Sequence, residues 1–462
     1  MDLYKAWVAE LEGITATLDP RYKSAAAKNV SECKRAYERM YSGLSALESS
    51  ENAYFAFVLA NRAMFMQRVH LRMQQQTSDI DRYPDDEQIA GLLQDMDYRK
   101  QDDSDSRWRP FQIAFLLMDI NSIINDESPE RDIVDLIWFP TGGGKTEAYL
   151  GLTAFTIFYR RLTHLAELGG TAVIMRYTLR LLAAQQFTRA ATLICACEYI
   201  RQDCEARKRV YPAYPLGKEP ITIGLWIGGT HIPNRNTGGK GSALDCLKEL
   251  TKADKGQLRY IKERYNKFQV LKCPWCGTKL VKDDKDRKLI GAWGYRMRNN
   301  KHFYMHCTHE DCDFTDKLPI QIIDDELYEN PPTLLFGTVD KFAMLPWDGR
   351  IGSFFGVGKA NRSPELIIQD ELHLISGALG TMVGLYETAV DAICSQKGVR
   401  PKIIASTATI RRAKEQCSVL YNREVVQFPA PGLNSEDSFF AREATISYEN
   451  GIFGRKYVGL MP

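Results

Sequence analysis

The sequence predicts an α/β fold, a parallel β-sheet with helices on both faces, preceded by a helical domain and interrupted by a cysteine-bearing insertion. Three observations carry it. Short apolar runs alternate with helical segments from residue 133 onward, the rhythm of a parallel sheet covered on both sides. Residues 1–100 instead repeat apolar side chains at three- and four-residue spacing, as at Ala56, Leu59, Ala60, Ala63 and Met64, which is helical. The stretch 235–325 breaks the α/β rhythm, being basic and polar and holding two close cysteine pairs.

Taken in order, residues 1–100 form a helical N-terminal domain that ends in a charge-rich linker at 98–106. Arg109-Pro110-Phe111-Gln112 then opens a new helix, with proline in its first turn. The sheet-bearing domain runs over 105–430, with strands expected at 134–139, 172–175, 221–226, 334–336, 366–368 and 402–405. The remaining segment, 431–462, reads as a linker followed by the first strand of a further domain.

Composition bounds the class. A chain of 462 residues, 44% hydrophobic and 26% charged, has the make-up of a soluble globular protein. No apolar run approaches the roughly 18 residues of a membrane span, and the start lacks a basic-then-apolar leader, so a cytoplasmic protein without a membrane partner is expected. Of 11 cysteines, seven are scattered and four fall in the two pairs, a pattern that in a cytosolic protein points to metal before disulfide. The net charge of +2 conceals an asymmetry: 240–301 holds 17 Lys and Arg against 7 Asp and Glu, a surplus of ten, while the rest of the chain carries −8.

Two motifs carry chemistry. The first is Phe139-Pro140-Thr141-Gly142-Gly143-Gly144-Lys145-Thr146, between a strand and a helix. Glycine-rich backbone entering a helix aims N–H groups and the positive end of the helix dipole at one point, which suits the polyphosphate of ATP. Lys145 would reach the β- and γ-phosphates and Thr146 would ligate Mg²⁺. The second is Asp370-Glu371-Leu372-His373 at the end of the strand 366–368. Asp370 would hold Mg²⁺ and Glu371 would polarise the attacking water. A competing acidic run, Ile322-Ile323-Asp324-Asp325-Glu326-Leu327, has the same local look, but it lacks the following histidine and the later strand that ends in Ser406-Thr407-Ala408-Thr409.

The pairs Cys273-Pro274-Trp275-Cys276-Gly277 and Cys307-Thr308-His309-Glu310-Asp311-Cys312 stand 30 residues apart. Two knuckles offering four thiolates make a closed tetrahedral site, so a structural Zn²⁺ and a zinc-ribbon insertion are expected, with His302, His306 and His309 as substitute ligands. Tyr260, Tyr265, Phe268, Trp275, Trp293 and Tyr295 are interleaved with the basic residues. That composition suits stacking on nucleic-acid bases, and equally an apolar staple around the metal.

The order Arg109-Pro110-Phe111-Gln112, Gly-Lys-Thr loop, Asp-Glu-Leu-His and Thr407-Ala408-Thr409 resembles the first RecA-like P-loop domain of superfamily 2 helicases. More narrowly, the run from Trp138 to Tyr149, Gly337-Thr338-Val339-Asp340-Lys341 and Phe428-Pro429-Ala430-Pro431-Gly432-Leu433 resemble the DrmA-type helicases of the DISARM anti-phage defence system. The resemblance implies an ATP-dependent DNA helicase or translocase working with other defence subunits. It makes Gln112 the adenine reader, Thr407 and Thr409 the coupling motif, and Arg180, Gln185, Thr338 and Lys341 contacts to the nucleic acid. On the residues alone, Gln112 could cap a helix, Arg180 could be a solvated charge and Gly337-Thr338 an ordinary turn. Too few residues follow Thr409 for a second RecA-like domain, so the remaining polypeptide or a protein partner would supply it, and weak ATP hydrolysis by this piece alone is expected. The alternatives from other classes are a nucleic-acid-binding scaffold and an ATP-switched DNA clamp.

Overall fold

The computed structural model describes residues 1–76, 86–94, 96, 98, 106–139, 142–167, 169–178, 180–203, 215–229, 232–255, 266–281, 293–407, 412–434, 437–441, 447, 449, 451, 453–454 and 458–459. Three helices open the chain: α1 (Asp2–Thr17), α2 (Pro20–Ser49) and α3 (Glu51–Gln76). The short α4 (Asp86–Gln94) and then α5 (Pro110–Ile124) lead to the sheet. Asp19 caps α2 by accepting from the backbone N–H of Arg21, with Pro20 in the first turn, so the α1–α2 boundary is written locally.

Eight strands form one sheet: β1 (Val134–Trp138), β2 (Val173–Tyr177), β3 (Ile223–Trp226), β6 (Ile320–Gln321), β7 (Leu334–Thr338), β8 (Leu366–Gln369), β9 (Lys402–Thr407) and β10 (Val425–Phe428). Their order is β10-β1-β9-β8-β2-β7-β3-β6, and every pairing is parallel. The expected α/β sheet is therefore present, with helices on both faces. Side chains alternate between two cores as the period of two requires. Val173, Met175 and Tyr177 of β2 join the core shared with α3, α5, α6 (Lys145–Thr163) and α7 (Arg180–Gln202). Ile174 faces the other core, beneath α9 (Asp324–Glu329), α10 (Gly377–Ser395) and α11 (Ala413–Tyr421).

The N-terminal helices are packed onto the sheet's own helices, α2 along α5 and α3 along α6 and α7. Gly43 permits the α2–α5 contact, since a Cβ there would lie 1.8 Å from the carbonyl oxygen of Leu117 on α5. The segment after β10 returns to these helices: Asn29 Nδ2 donates to the Gly432 carbonyl at 2.9 Å, and Phe439 and Phe440 pack on Tyr4.

The connection from β3 to β6 carries α8 (Ala243–Lys255), the antiparallel hairpin β4 (Tyr295–Arg298) and β5 (His302–Met305), and all four paired cysteines. Asn299 and Asn300, both at positive φ, lie in the three-residue turn 299–301 between β4 and β5, where the Lys301 N–H donates to the Arg298 carbonyl at 3.0 Å. Phe268, Trp275, Trp293 and Tyr295 are buried here, which resolves their role in favour of packing over base stacking; Tyr260 and Tyr265 lie outside the described residues. Among the described residues no helix is long and apolar enough to cross a membrane.

Candidate functional site

In a parallel sheet all strands deliver their C-terminal ends to one edge, and a ligand site forms there where the strand order reverses. Register fixes which residues meet. Trp138 pairs with Thr407 across β1 and β9, and Gln369 pairs with Ala405 across β8 and β9. The Gly-Lys-Thr loop, Asp370 and Thr407 thus emerge side by side.

Gly144 sits at φ 96° as the N-cap of α6, a backbone conformation that a β-carbon disfavours. Gln112, at the start of α5, binds this loop. Its Oε1 accepts from the Arg109 N–H at 2.8 Å and its Nε2 donates to the Gly144 carbonyl at 2.9 Å. A primary amide has one more N–H to give, so Gln112 both caps its helix and keeps a donor for a ligand. Arg109 Nη1 donates to the Gly143 carbonyl at 2.7 Å, and the Phe111 and Phe139 rings stack with centroids 3.9 Å apart. Lys145 Nζ donates to the Phe139 carbonyl at 2.6 Å. Burial pulls the Lys145 ammonium below the usual lysine value, against the opposing pull of Asp370 and Glu371. Thr141 lies outside the described residues.

Opposite the loop, Tyr149 joins the two halves of the site. Its hydroxyl donates to Asp370 Oδ2 at 2.6 Å, lies 3.1 Å from Thr146 Oγ1 and 3.2 Å from the Tyr177 hydroxyl. Asp370 Oδ1 accepts the Glu371 N–H at 2.9 Å, and Glu371 stands at φ 50°. Burial, then the neighbouring Asp370, push the Glu371 carboxyl above the usual carboxylate range, while His373 and Lys145 oppose this. His373 Nδ1 lies 3.4 Å from both Glu371 Oε2 and Thr407 Oγ1, a chain from β8 to β9. The hard oxygen donors Thr146 and Asp370, already tied together, fit a divalent cation of the Mg²⁺ type.

The other residues singled out in the sequence lie elsewhere. Thr338 ends β7 fully buried, and the Lys341 ammonium is buried on Asp324 at 2.8 Å. Arg180 and Gln185 fall in the first turns of α7, with side chains outside the described set, and Thr409 lies outside it altogether. The competing acidic run starts α9 beside the β6 edge, four strands from β8 or roughly 19 Å away. There Asp325 pairs with Arg350 and Glu326 accepts from Asn236. It fills the first turn of α9 and takes no part in the loop edge.

The four cysteines converge. All four sulfurs lie within 4.8 Å of one another, with Cys273 to Cys312 at 3.9 Å and Cys276 to Cys307 at 3.4 Å. A tetrahedral site with ~2.3 Å metal–sulfur bonds separates its sulfurs by about 3.8 Å, so the cluster fits one zinc-type ion and leaves no open position. None of the three histidines belongs to that cluster; His302 instead approaches Glu326 and Glu329.

Set beside known proteins, the chain aligns with the DISARM protein DrmA of Bacillus paralicheniformis over 491 positions at 35% identity, a match covering 96% of this chain and 40% of that protein. The chain is similar to DISARM DrmA along nearly its whole length. The DrmA-type resemblance of the motifs therefore extends through the helical N-terminal region and the cysteine insertion. The chain spans less than half the length of this relative. No family model matches it. Two solved structures of the DUF1998 helicase MrfA, one of them bound to DNA, align at TM-scores of 0.34 and 0.32 and identities of 15% and 16%. Both cover 74% of this chain, and 30% and 33% of those chains respectively.

Tyr149 is the site residue that sequence reasoning missed. It stands on α6, three residues beyond the end of the loop motif, and its partner is 221 residues away. Only the register of β1 against β9 and β8 brings them together.

Proposed function

We propose that this chain is the ATP-binding front half of a superfamily 2 helicase-type motor that acts on DNA within an anti-phage defence system of the DISARM kind. The observation that carries the proposal is the convergence of the Gly-Lys-Thr loop, Asp370–Glu371 and Thr407 on one sheet edge, with Tyr149 joining Thr146 to Asp370. In this account the loop backbone and Lys145 take the β- and γ-phosphates of ATP. Thr146 and Asp370 hold Mg²⁺, Glu371 orients the water, and His373 with Thr407 links the site to the neighbouring strand. By the family resemblance, Arg180 and Gln185 would contact the nucleic acid and Thr409 would join Thr407 in the coupling motif. Thr338 and Lys341 join them only if the Lys341–Asp324 pair opens. Zn²⁺ on the four thiols is structural. DNA and the defence role rest on the similarity to DISARM DrmA.

Leu379, Met382 and Leu385 are exposed on α10, which begins a few residues after His373. An apolar face beside a nucleotide edge suits a second RecA-like domain, from the remaining polypeptide or a partner, whose arginine would complete the transition-state site. The test is ATP turnover with and without DNA for the wild type, Lys145→Ala and Glu371→Gln, in the full-length protein. DNA-stimulated turnover lost in both variants supports the motor. ATP binding that tightens DNA contact with no turnover would favour the clamp.

A further inference from the structure

A cavity of about 490 Å³ opens beside the phosphate-binding loop, and one of its walls comes from outside the sheet domain. Gly142, Gly144, Arg109 and Gln112 line one side, and Met64, Phe65 and Arg68 of α3 line another. The volume falls within the roughly 300–1,000 Å³ of small-molecule sites. Its lining divides into two chemistries. Phe65 and Trp108, with Met64, offer flat apolar surface. Arg68, Arg107 and Arg109 outnumber the one lining carboxylate, Glu147, which Arg189 already engages.

The α3 wall is held firmly. Asn61 Oδ1 accepts from the Trp108 indole at 2.6 Å, and Gln67 Nε2 donates to the Arg189 carbonyl at 3.0 Å. One turn on, the His70 ring stacks on Trp275 with centroids 3.4 Å apart. Phe65 and Arg68 lie between these anchors, half-buried and exposed respectively. A rigid wall presenting an aromatic ring and a guanidinium beside a phosphate-binding loop suits a nucleotide, whose base is flat and whose other end is anionic.

We propose that α3 forms a wall of the nucleotide pocket, with Phe65 stacking on the base and Arg68 supplying a cation to the ribose-phosphate. This rests on the ATP-binding reading above and adds to it contacts for base and ribose from the N-terminal helices.

The test is equilibrium binding of ATP and of inorganic tripolyphosphate, both with Mg²⁺, to the whole chain and to Phe65→Ala, Phe65→Leu, Arg68→Gln and Lys145→Ala. Phe65→Ala should weaken ATP on the order of tenfold and leave tripolyphosphate unchanged. Phe65→Leu, which keeps apolar bulk and removes the ring face, should reproduce most of that loss. Arg68→Gln should weaken ATP several-fold. Wild-type ATP affinity in the Phe65 and Arg68 variants, with binding lost in Lys145→Ala, overturns the α3 wall and leaves the ATP site standing. Equal losses of ATP and tripolyphosphate in both Phe65 variants also overturn it, by showing a packing role. No ATP binding by the wild type overturns both.

Discussion

A phenol buried between Thr146 and Asp370 has one proton to give, and the carboxylate is the stronger acceptor. Thr146 must then donate its own proton to Tyr149, which leaves the lone pairs of Thr146 Oγ1 for a cation. Tyr149→Phe should therefore raise the Mg²⁺ concentration needed for ATP turnover and slow it about tenfold, as expected when a buried acceptor loses a partner for ~1–3 kcal/mol. An unchanged Mg²⁺ titration would remove Tyr149 from the site. Glu371 makes a second residue-scale prediction. Its carboxyl is held above the ordinary range by burial and Asp370, and only the ionised form can orient water. Turnover should fall on acidification at a pH above that range, and the residual rate of Glu371→Gln should lack this limb. Lys145, Asp370 and Glu371 were legible because each stands in a local motif. Lys341 was not, because its partner Asp324 lies on a different element.

At the scale of elements, β1, β2, β3, β7, β8 and β9 were legible as apolar runs, because strands buried on both faces have no polar side to break the run. The two edge strands were not. β6 has only two residues, too few for a period, and β10 is four residues running directly into Pro429. The zinc knuckle was legible from spacing, but its seat was not. Trp275 is clamped between His70 of α3 and Tyr199 of α7, and Thr192 Oγ1 donates to the Pro274 carbonyl at 3.0 Å. Removing the metal should therefore disturb more than the insertion. Stripping zinc with a strong chelator, or Cys276→Ser, should release one zinc per chain, red-shift tryptophan emission and lower the melting temperature. Full metal removal with an unchanged emission and melting curve would contradict a structural role.

Across the whole molecule, the helical N-terminal region and the sheet share one core, joined by a buried charge cluster. Arg39 of α2 makes a two-pronged contact with Asp135 of β1, at 2.6 and 2.7 Å, and Lys402 of β9 reaches the same carboxylate at 2.5 Å. Burial and the charge of Asp135 push the neighbouring Asp119 carboxyl up, whereas Arg39 and Lys402 hold Asp135 down against its burial. The partners come from four elements, so no local run of the sequence shows the set. Arg39→Leu leaves two buried carboxylates short of a cation and should cost about 3–5 kcal/mol in chemical denaturation. A cost below ~1 kcal/mol would mean that α2 is merely laid against the sheet.

The motor chemistry requires the sheet edge at β1, β8 and β9 to be a nucleotide site. Calorimetric titration of the chain with ATP and Mg²⁺, wild type beside Lys145→Ala, tests that most directly. The account predicts one ATP bound per wild-type chain and loss of binding in the variant. An absence of binding in the wild type, or equal affinity in both, would contradict it.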